Sequence, residues 1–265
     1  MNHVWKGCSF LLFAIAVVSC GPSANENTGS ETAFVENVPA DGFDVENSDA
    51  SAIKLADDAM MAMGGRKNWD DTRYITWNFF GARRHTWDKW TGDVRIEAPR
   101  DSTIILMNIN TMQGKVMKKG VEFNQPDSLT KYLDRGKGWW INDSYWLLMP
   151  FKLKDSGVTL NYIREDTTMD GRNAHVLGLK FKSVGVTPDN GYLVFVDMET
   201  SLVSQWAYYK DAYQAEPNFV LPWIDYKPYG KILLSGSRGE RQITDIAVFE
   251  QVPEGTFINF NVENL

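Results

Sequence analysis

Thirty-four acidic side chains against 27 basic ones give this 265-residue chain a formal net charge of −7. Its Lys and Arg gather no further than isolated pairs such as Lys118-Lys119 and Arg83-Arg84. That balance leaves no electrostatic grip for a polyphosphate, so nucleic acid is excluded as a partner.

Lys6 is the sole charge in residues 1–19, and residues 10–18 (FLLFAIAVV) are continuously apolar. A run of about nine residues has the length of a secretory h-region and is too short to span a bilayer. Val17-Val18-Ser19-Cys20 follows, and an aliphatic residue, a small residue and then Cys resembles the lipobox of bacterial lipoproteins. The resemblance implies cleavage before Cys20 and acylation of its thiol. Cys8 leaves with the signal, so Cys20 is then the sole thiol and no internal disulfide can form. Acyl chains bury ~0.8 kcal/mol per methylene, and several chains exceed what stable anchoring requires.

Residues 20–47, rich in Asn, Glu, Ser and Gly without a sustained period, are expected to form a flexible tether reaching roughly 30 Å. The folded domain is expected over residues 48–265, enough for a sizeable core. It opens with a helix: Ser48 or Asp49 can cap it, Ile53, Ala56, Met60 and Met63 recur at helical steps, and Gly64-Gly65 stops it.

The chain then turns to strands. Residues 74–80 (YITWNFF) place Ile75, Trp77 and Phe79 on one face, and 83–90, 94–98, 103–108 and 114–118 follow. Residues 126–146 carry helical signals, with Asp127-Ser128 ahead of Leu129, Tyr132 and Leu133, and Pro150 closes the stretch after them. Strands resume at 158–165, 174–182, 192–196, 202–209, 230–234 and 242–249, with a Pro-rich loop expected at 216–228 and a hairpin turn at 236–239. About 11 alternating strands with few helices predict an α+β, mostly β fold: a single curved antiparallel sheet, an unclosed β-barrel, with helices covering its concave face.

Catalytic signals are thin. Beyond the signal the chain has two histidines, His85 and His175. His85 and Asp88 are three apart, and on a strand that spacing puts them on opposite faces. His175 alternates with Leu177 and Leu179, as a half-buried strand residue does. Neither has a second His or a Cys at ligand spacing, so no metal is expected. There is no nucleophile elbow or phosphate loop, and neither a catalytic residue nor a cofactor is assigned.

Residues 138–157 (GWWINDSYWLLMPFKLKDSG) hold three of the ten Trp. Drawn as a helix, Ile141, Tyr145 and Leu148 form one stripe. Trp139 and Trp146, seven apart, share another with Asn142 and Asp143. Such a helix is apolar on more than one side: one side covers a sheet, and the other needs a second partner, whether core or ligand. Met60, Met61 and Met63 fit ordinary packing or the adaptable lining of a site.

Val252-Pro253-Glu254-Gly255-Thr256-Phe257 and Val196-Asp197-Met198-Glu199-Thr200-Ser201-Leu202, together with the lipobox, tether and Gly-Gly helix, resemble the LolA/LolB-like lipoprotein-carrier fold. AMGGRKNW (62–69), RRHTWDKWTGDVR (83–95), NDSYWLLMPFKLKDSGV (142–158) and SVGVTPDNGY (183–192) look like a family of bacterial lipoproteins in that superfamily without a settled activity. The resemblance implies an unclosed barrel holding acyl chains between sheet and helices. In carrying its own anchor the chain looks more like the receptor type, and no functional residue of the carriers can be matched onto it.

The expectation is therefore an envelope lipoprotein, anchored through acylated Cys20 in the outer membrane facing the periplasm, monomeric, and binding a lipid or a lipoprotein acyl chain. Met60, Met63, Ile75, Trp77 and Phe79 are expected to line the cavity, and Trp139, Trp146, Met149 and Phe151 to form its lid. The alternatives are an envelope enzyme using His85 or His175, and a glycan-binding lipoprotein using exposed Trp, for which Trp87, Trp90 and Trp223 are the candidates.

Overall fold

The computed structural model describes residues 37–181 and 189–262. The signal, Cys20 and most of the SVGVTPDNGY stretch lie outside the described residues. Packing begins earlier than residue 48. Residues 37–47, expected as the end of the tether, dock on the domain: the Ala40 amide donates to the Lys154 carbonyl and the Asp44 amide to that of Val158, each at 3.0 Å, and Phe43 is buried. Asn37 and the Lys154 ammonium share the Asp57 carboxylate at 2.8 and 2.5 Å.

Helix α1 (Ala50–Ala62) buries Ala52, Ala56 and Ala59, a face small enough for close approach to a sheet. Its expected caps serve another purpose. Ser48 Oγ accepts from the Leu160 amide at 3.0 Å and Asp49 Oδ2 from the Tyr162 amide at 2.8 Å. These contacts satisfy the free edge of strand β7 (Val158–Thr167), where unpaired amides would invite another chain. Gly64, at φ +111°, ends the helix, and a Cβ there would collide with the Lys231 carbonyl. The short helix α2 (Arg66–Asp71) follows.

Fourteen strands form two antiparallel sheets among the described residues, rather than the expected eleven or so in one. The first sheet collects β1 (Tyr74–Phe79), β2 (Arg83–Asp88), β3 (Asp93–Ala98), β4 (Thr103–Asn108), β5 (Gly114–Lys118), β6 (Val121–Glu122), β12 (Ile224–Tyr229), β13 (Ile232–Arg238) and β14 (Arg241–Phe249) in the order β12-β13-β14-β1-β2-β3-β4-β5-β6. The second is β11-β10-β9-β8-β7, with β8 (Asn173–Phe181), β9 (Gly191–Asp197), β10 (Val203–Tyr209) and β11 (Phe219–Pro222). The fold is thus mostly β, with few helices and sheets that do not close into a barrel.

The Pro-rich segment accounts for the division. Expected as a loop, it is β11 and β12, the edge strand of each sheet, separated by one residue, Trp223. Pro222 sits at a strand end, where proline costs a sheet least. The Trp223 amide donates to the Ser204 carbonyl at 2.8 Å, and Asp225 takes φ +61°. One polypeptide segment therefore turns from one sheet into the other at Trp223. The hairpin expected at 236–239 turns later, since Arg238 still pairs with Arg241.

Helix α3 (Pro126–Leu148) crosses the inner face of the first sheet. Its Gly136 lies against Met107 and Ile105, where a Cβ would be 3.0 Å from the Met107 sulfur. Trp140 meets Trp87 edge-on at 5.1 Å, and Trp146 reaches Trp206 of the second sheet at 5.0 Å. A 3-10 turn, Met149–Lys152, then leads to β7. Two large core clusters result, beside a small third one of Ala174, Val176 and Phe195. Met60, Met63, Ile75, Trp77 and Phe79 belong to the first, under α3. Ala52, Ala56, Leu160, Leu177, Val194, Met149 and Trp206 belong to the second, under α1.

Both motifs behind the carrier resemblance have local physical work. Asp197 Oδ1 accepts from the Glu199 and Thr200 amides at 3.1 and 2.8 Å, an Asx turn that joins β9 to β10. In the C-terminal motif the Thr256 hydroxyl donates to the Pro253 carbonyl at 2.6 Å, and the segment lies along the other side of the first sheet, where buried Arg95 donates to the Thr256, Asn259 and Phe260 carbonyls at 3.3, 2.8 and 2.7 Å.

Candidate functional site

The inner face of the second sheet changes character along its strands. Near α1 it presents Leu160, Leu177, Val194 and Val196, all buried. Toward the other end it presents Phe181 on β8, Tyr192 on β9, Trp206 and Tyr208 on β10 and Phe219 on β11. There α3 stops short of full coverage, and a cleft of about 420 Å³ remains. Ile141, Asn142, Tyr145 and Trp146 of α3 form the facing wall, and Lys152, Asp155, Ser156 and Asn190 stand around them. The volume falls within the range of small-molecule sites, ~300–1,000 Å³.

Seven of the fourteen lining residues among those described are aromatic. Tyr192 and Trp206 stack in parallel, with centroids 5.4 Å apart and planes at 4°. Tyr208 stacks on Phe219 at 5.1 Å. The Tyr145 hydroxyl is buried with no hydrogen-bond partner, and burial raises it well above the ordinary tyrosine value. Tyr192 is raised too, also by burial. Both phenols are neutral at physiological pH. Lys152 and Asp155 pair with each other at 2.9 Å.

A second polar group lies under α3. Arg83 donates twice to Asp143, Nε to Oδ2 at 2.6 Å and Nη2 to Oδ1 at 2.9 Å. His85 Nε2 lies 2.7 Å from the same Oδ2, and Asn142 Nδ2 donates to Oδ1 at 2.9 Å. Burial would raise the Asp143 carboxyl, yet the hydrogen bonds from His85 and Arg83 hold it below the usual carboxylate value. Burial lowers His85, against the opposing pull of Asp143. A neutral imidazole beside a carboxylate carries its proton on Nε2 and donates it. Its Nδ1 has no partner, and its ring stacks on Trp77 at 4.7 Å. Both His85 and Asp143 are fully buried, and the pair fastens α3 to β2.

Beside the cleft, Arg238 is fully buried. Its guanidinium carbon sits 3.2 Å from the centre of a Trp223 ring, and it donates to the Trp146 carbonyl at 2.5 Å and the Ser235 carbonyl at 3.1 Å. Burial lowers its proton affinity, but a guanidinium starts high enough to stay charged. It ties the bend at Trp223 to the helix residue that walls the cleft.

The structure separates the residues expected to form one cavity. Trp146 lines the cleft. Met60, Met63, Ile75, Trp77, Phe79 and Phe151 are packed in the first core and Met149 in the second, because α3 lies directly on the face that Ile75, Trp77 and Phe79 present. Trp139 packs beside Arg83, 5.0 Å from its guanidinium. Cys20 lies outside the described residues. His175 is partly exposed on β8, 3.3 Å from the Tyr162 hydroxyl and 4.0 Å from Glu165. Asp88 turns away from His85, as strand alternation requires, and pairs with Arg73 at 2.8 Å. Of the three Trp considered for glycan stacking, Trp87 and Trp223 are buried and Trp90 is 61 % exposed, its indole N–H donating to the Asp70 carbonyl.

Sequence reasoning missed Phe181, Tyr192, Trp206, Tyr208 and Phe219 as one wall. The available signal was the register of aromatics on consecutive strands: Tyr208 pairs with Tyr192 on one side and Phe219 on the other. Asp143 as the partner of His85 was also missed. Its signal was an acid in an apolar helix, which must find a buried partner.

No protein-family model matches the chain, and no curated protein matches it. Among solved structures it is similar to a DUF1329 family protein from Desulfovibrio piger at 11% identity, with a TM-score of 0.41, over 78% of this chain and 96% of that one. A likeness at this level carries no argument about activity.

Proposed function

We propose that this chain is a binding protein that holds a small apolar ligand, of the lipid class, in the cleft between α3 and the second sheet. The observation that supports this reading is the unfilled, aromatic-lined volume beside an otherwise packed core. Apolar surface left uncovered has a standing free-energy cost of about 25 cal/mol per Å², and a ligand that covers it recovers that cost. Binding of this kind needs no reacting group. The lipobox reading extends the proposal: the protein is a monomeric envelope lipoprotein, held through acylated Cys20 on the outer membrane facing the periplasm, and its ligand is a lipid or a lipoprotein acyl chain.

Native followed by denaturing mass spectrometry of the chain purified without detergent tests the reading. A stoichiometric apolar molecule released on denaturation supports it. Ile141→Trp, which fills the cleft from the helix side, is expected to abolish that co-purification. An empty protein that takes up neither an added lipid nor any other apolar probe overturns it.

A further inference from the structure

The cleft's lining is selective about what kind of apolar group it suits. Tyr192, Tyr208 and Phe219 stand directly opposite one another on β9, β10 and β11, so the hydrogen-bonded strands hold the three rings in one row. Trp206 stacks on Tyr192 with planes at 4°, and Trp146 faces Phe219 at 5.4 Å and 32° from the other wall. Side chains with two torsions, held at strand spacing and stacked on each other, make a slot of set shape.

A flexible acyl chain gains from such a slot only by covering area, and it must be ordered to enter. Sites that adapt to flexible chains use unbranched, mobile side chains. Among the described residues, Ile141 and Val158 are the aliphatic members of the lining and no methionine contributes, whereas Met60, Met63 and Met149 are consumed in filled core. A flat ring system meets the slot already ordered. Its quadrupole adds a stacking attraction beyond the area it covers. Asn142 and Ser156, both exposed at the mouth, offer hydrogen bonds to polar substituents on the ring edge.

We infer that the ligand part held in this cleft is a flat unsaturated ring bearing a polar substituent, rather than a saturated chain. The inference rests on the cleft-binding reading above; of the ligands named there it keeps a ring-bearing lipid and sets aside the acyl chain.

The test compares two probes on the full chain carrying Cys20→Ser, which removes the acylation site. 2-Naphthol and dodecanoate are titrated by calorimetry. Area alone favours dodecanoate, which has more carbons to bury. The inference expects 2-naphthol to bind at least tenfold more tightly. It also expects the double variant Tyr208→Leu, Phe219→Leu to weaken 2-naphthol about tenfold, ~1.4 kcal/mol, while leaving dodecanoate within about twofold. Should that variant fail to fold by circular dichroism, Ile141→Trp, which blocks the same space from α3, is expected to remove naphthol binding. Dodecanoate binding as tightly or more tightly, and lost in Ile141→Trp, overturns the ring inference and leaves the binding reading standing. Binding of 2-naphthol that neither variant changes places it elsewhere and overturns the inference. Binding of neither probe overturns both.

Discussion

The inner faces of the two sheets are built from different residues and are covered to different extents. The first sheet presents Ile75, Trp77, Ile96, Ile105 and Val116, all essentially without exposure, and α3 lies directly on them. A polar group set into it, Arg83–Asp143–His85, is internally paired. The second sheet is aliphatic and filled where the alanine face of α1 reaches it. It is aromatic and open where α3 ends and the chain turns through Met149–Lys152. The contrast teaches that the Trp-rich helix has two separate tasks: its middle seals one sheet, and its last turn, through Tyr145 and Trp146, walls a cleft on the other.

The strongest test of the sealed half is Asp143→Ala. It strands the Arg83 and His85 side chains in a buried site, and removing one partner of a buried ion pair costs about 3–5 kcal/mol. Chemical denaturation is expected to show a loss of that size. Next, truncation can be compared between halves. Ile75→Ala is expected to cost about 2–5 kcal/mol as a filled-core cavity. Tyr208→Ala, at the open cleft, is expected to cost about 1 kcal/mol, the scale of a lost aromatic pair. Similar losses at the two sites, by the same denaturation measurement, would erase the distinction between sealed and open.

A smaller effect follows from titration. Burial holds His85 below its ordinary value of 6.5, so the unfolded chain takes up the proton first. The stability tied to neutral His85 is therefore fully present above about 6.5 and is lost as pH falls through the folded-state value. Asp143, held below 3.8, adds a second loss at lower pH. In His85→Gln, which keeps a donor for Asp143 without titrating, melting temperatures are expected to vary less between pH 7 and pH 5 than in the parent. The smallest change is at the cleft wall. Tyr145→Phe deletes a buried hydroxyl that has no partner, and stability by thermal melting is expected to be unchanged or raised by about 1 kcal/mol.

Strand alternation made much of this fold legible. Residues 74–80 read directly as one buried face, and all eleven expected strands have a counterpart among the described residues. The breaks at Gly64-Gly65 and Pro150 fall where the sequence places them, since both depend on backbone chemistry within a few residues. The segment at 216–228 was misread because its prolines and charges signal a loop, whereas Phe219 and Leu221 alternate and are paired by partners far along the chain.

What the sequence alone determined was the class of most elements: strand from period two, helix from period three to four, and the stops from Gly and Pro. Which faces meet was decided by the tertiary structure. The helical pattern made α3 apolar on two sides without saying which side was filled. Only the bend at Trp223, which brings β11 beside the last turn of α3, sets Trp146 against Trp206 and leaves a cleft there while closing the face over Ile75 and Trp77. Periodicity is a property of neighbours along the chain. A cavity is a mismatch between surfaces distant along it, and no local pattern encodes that mismatch.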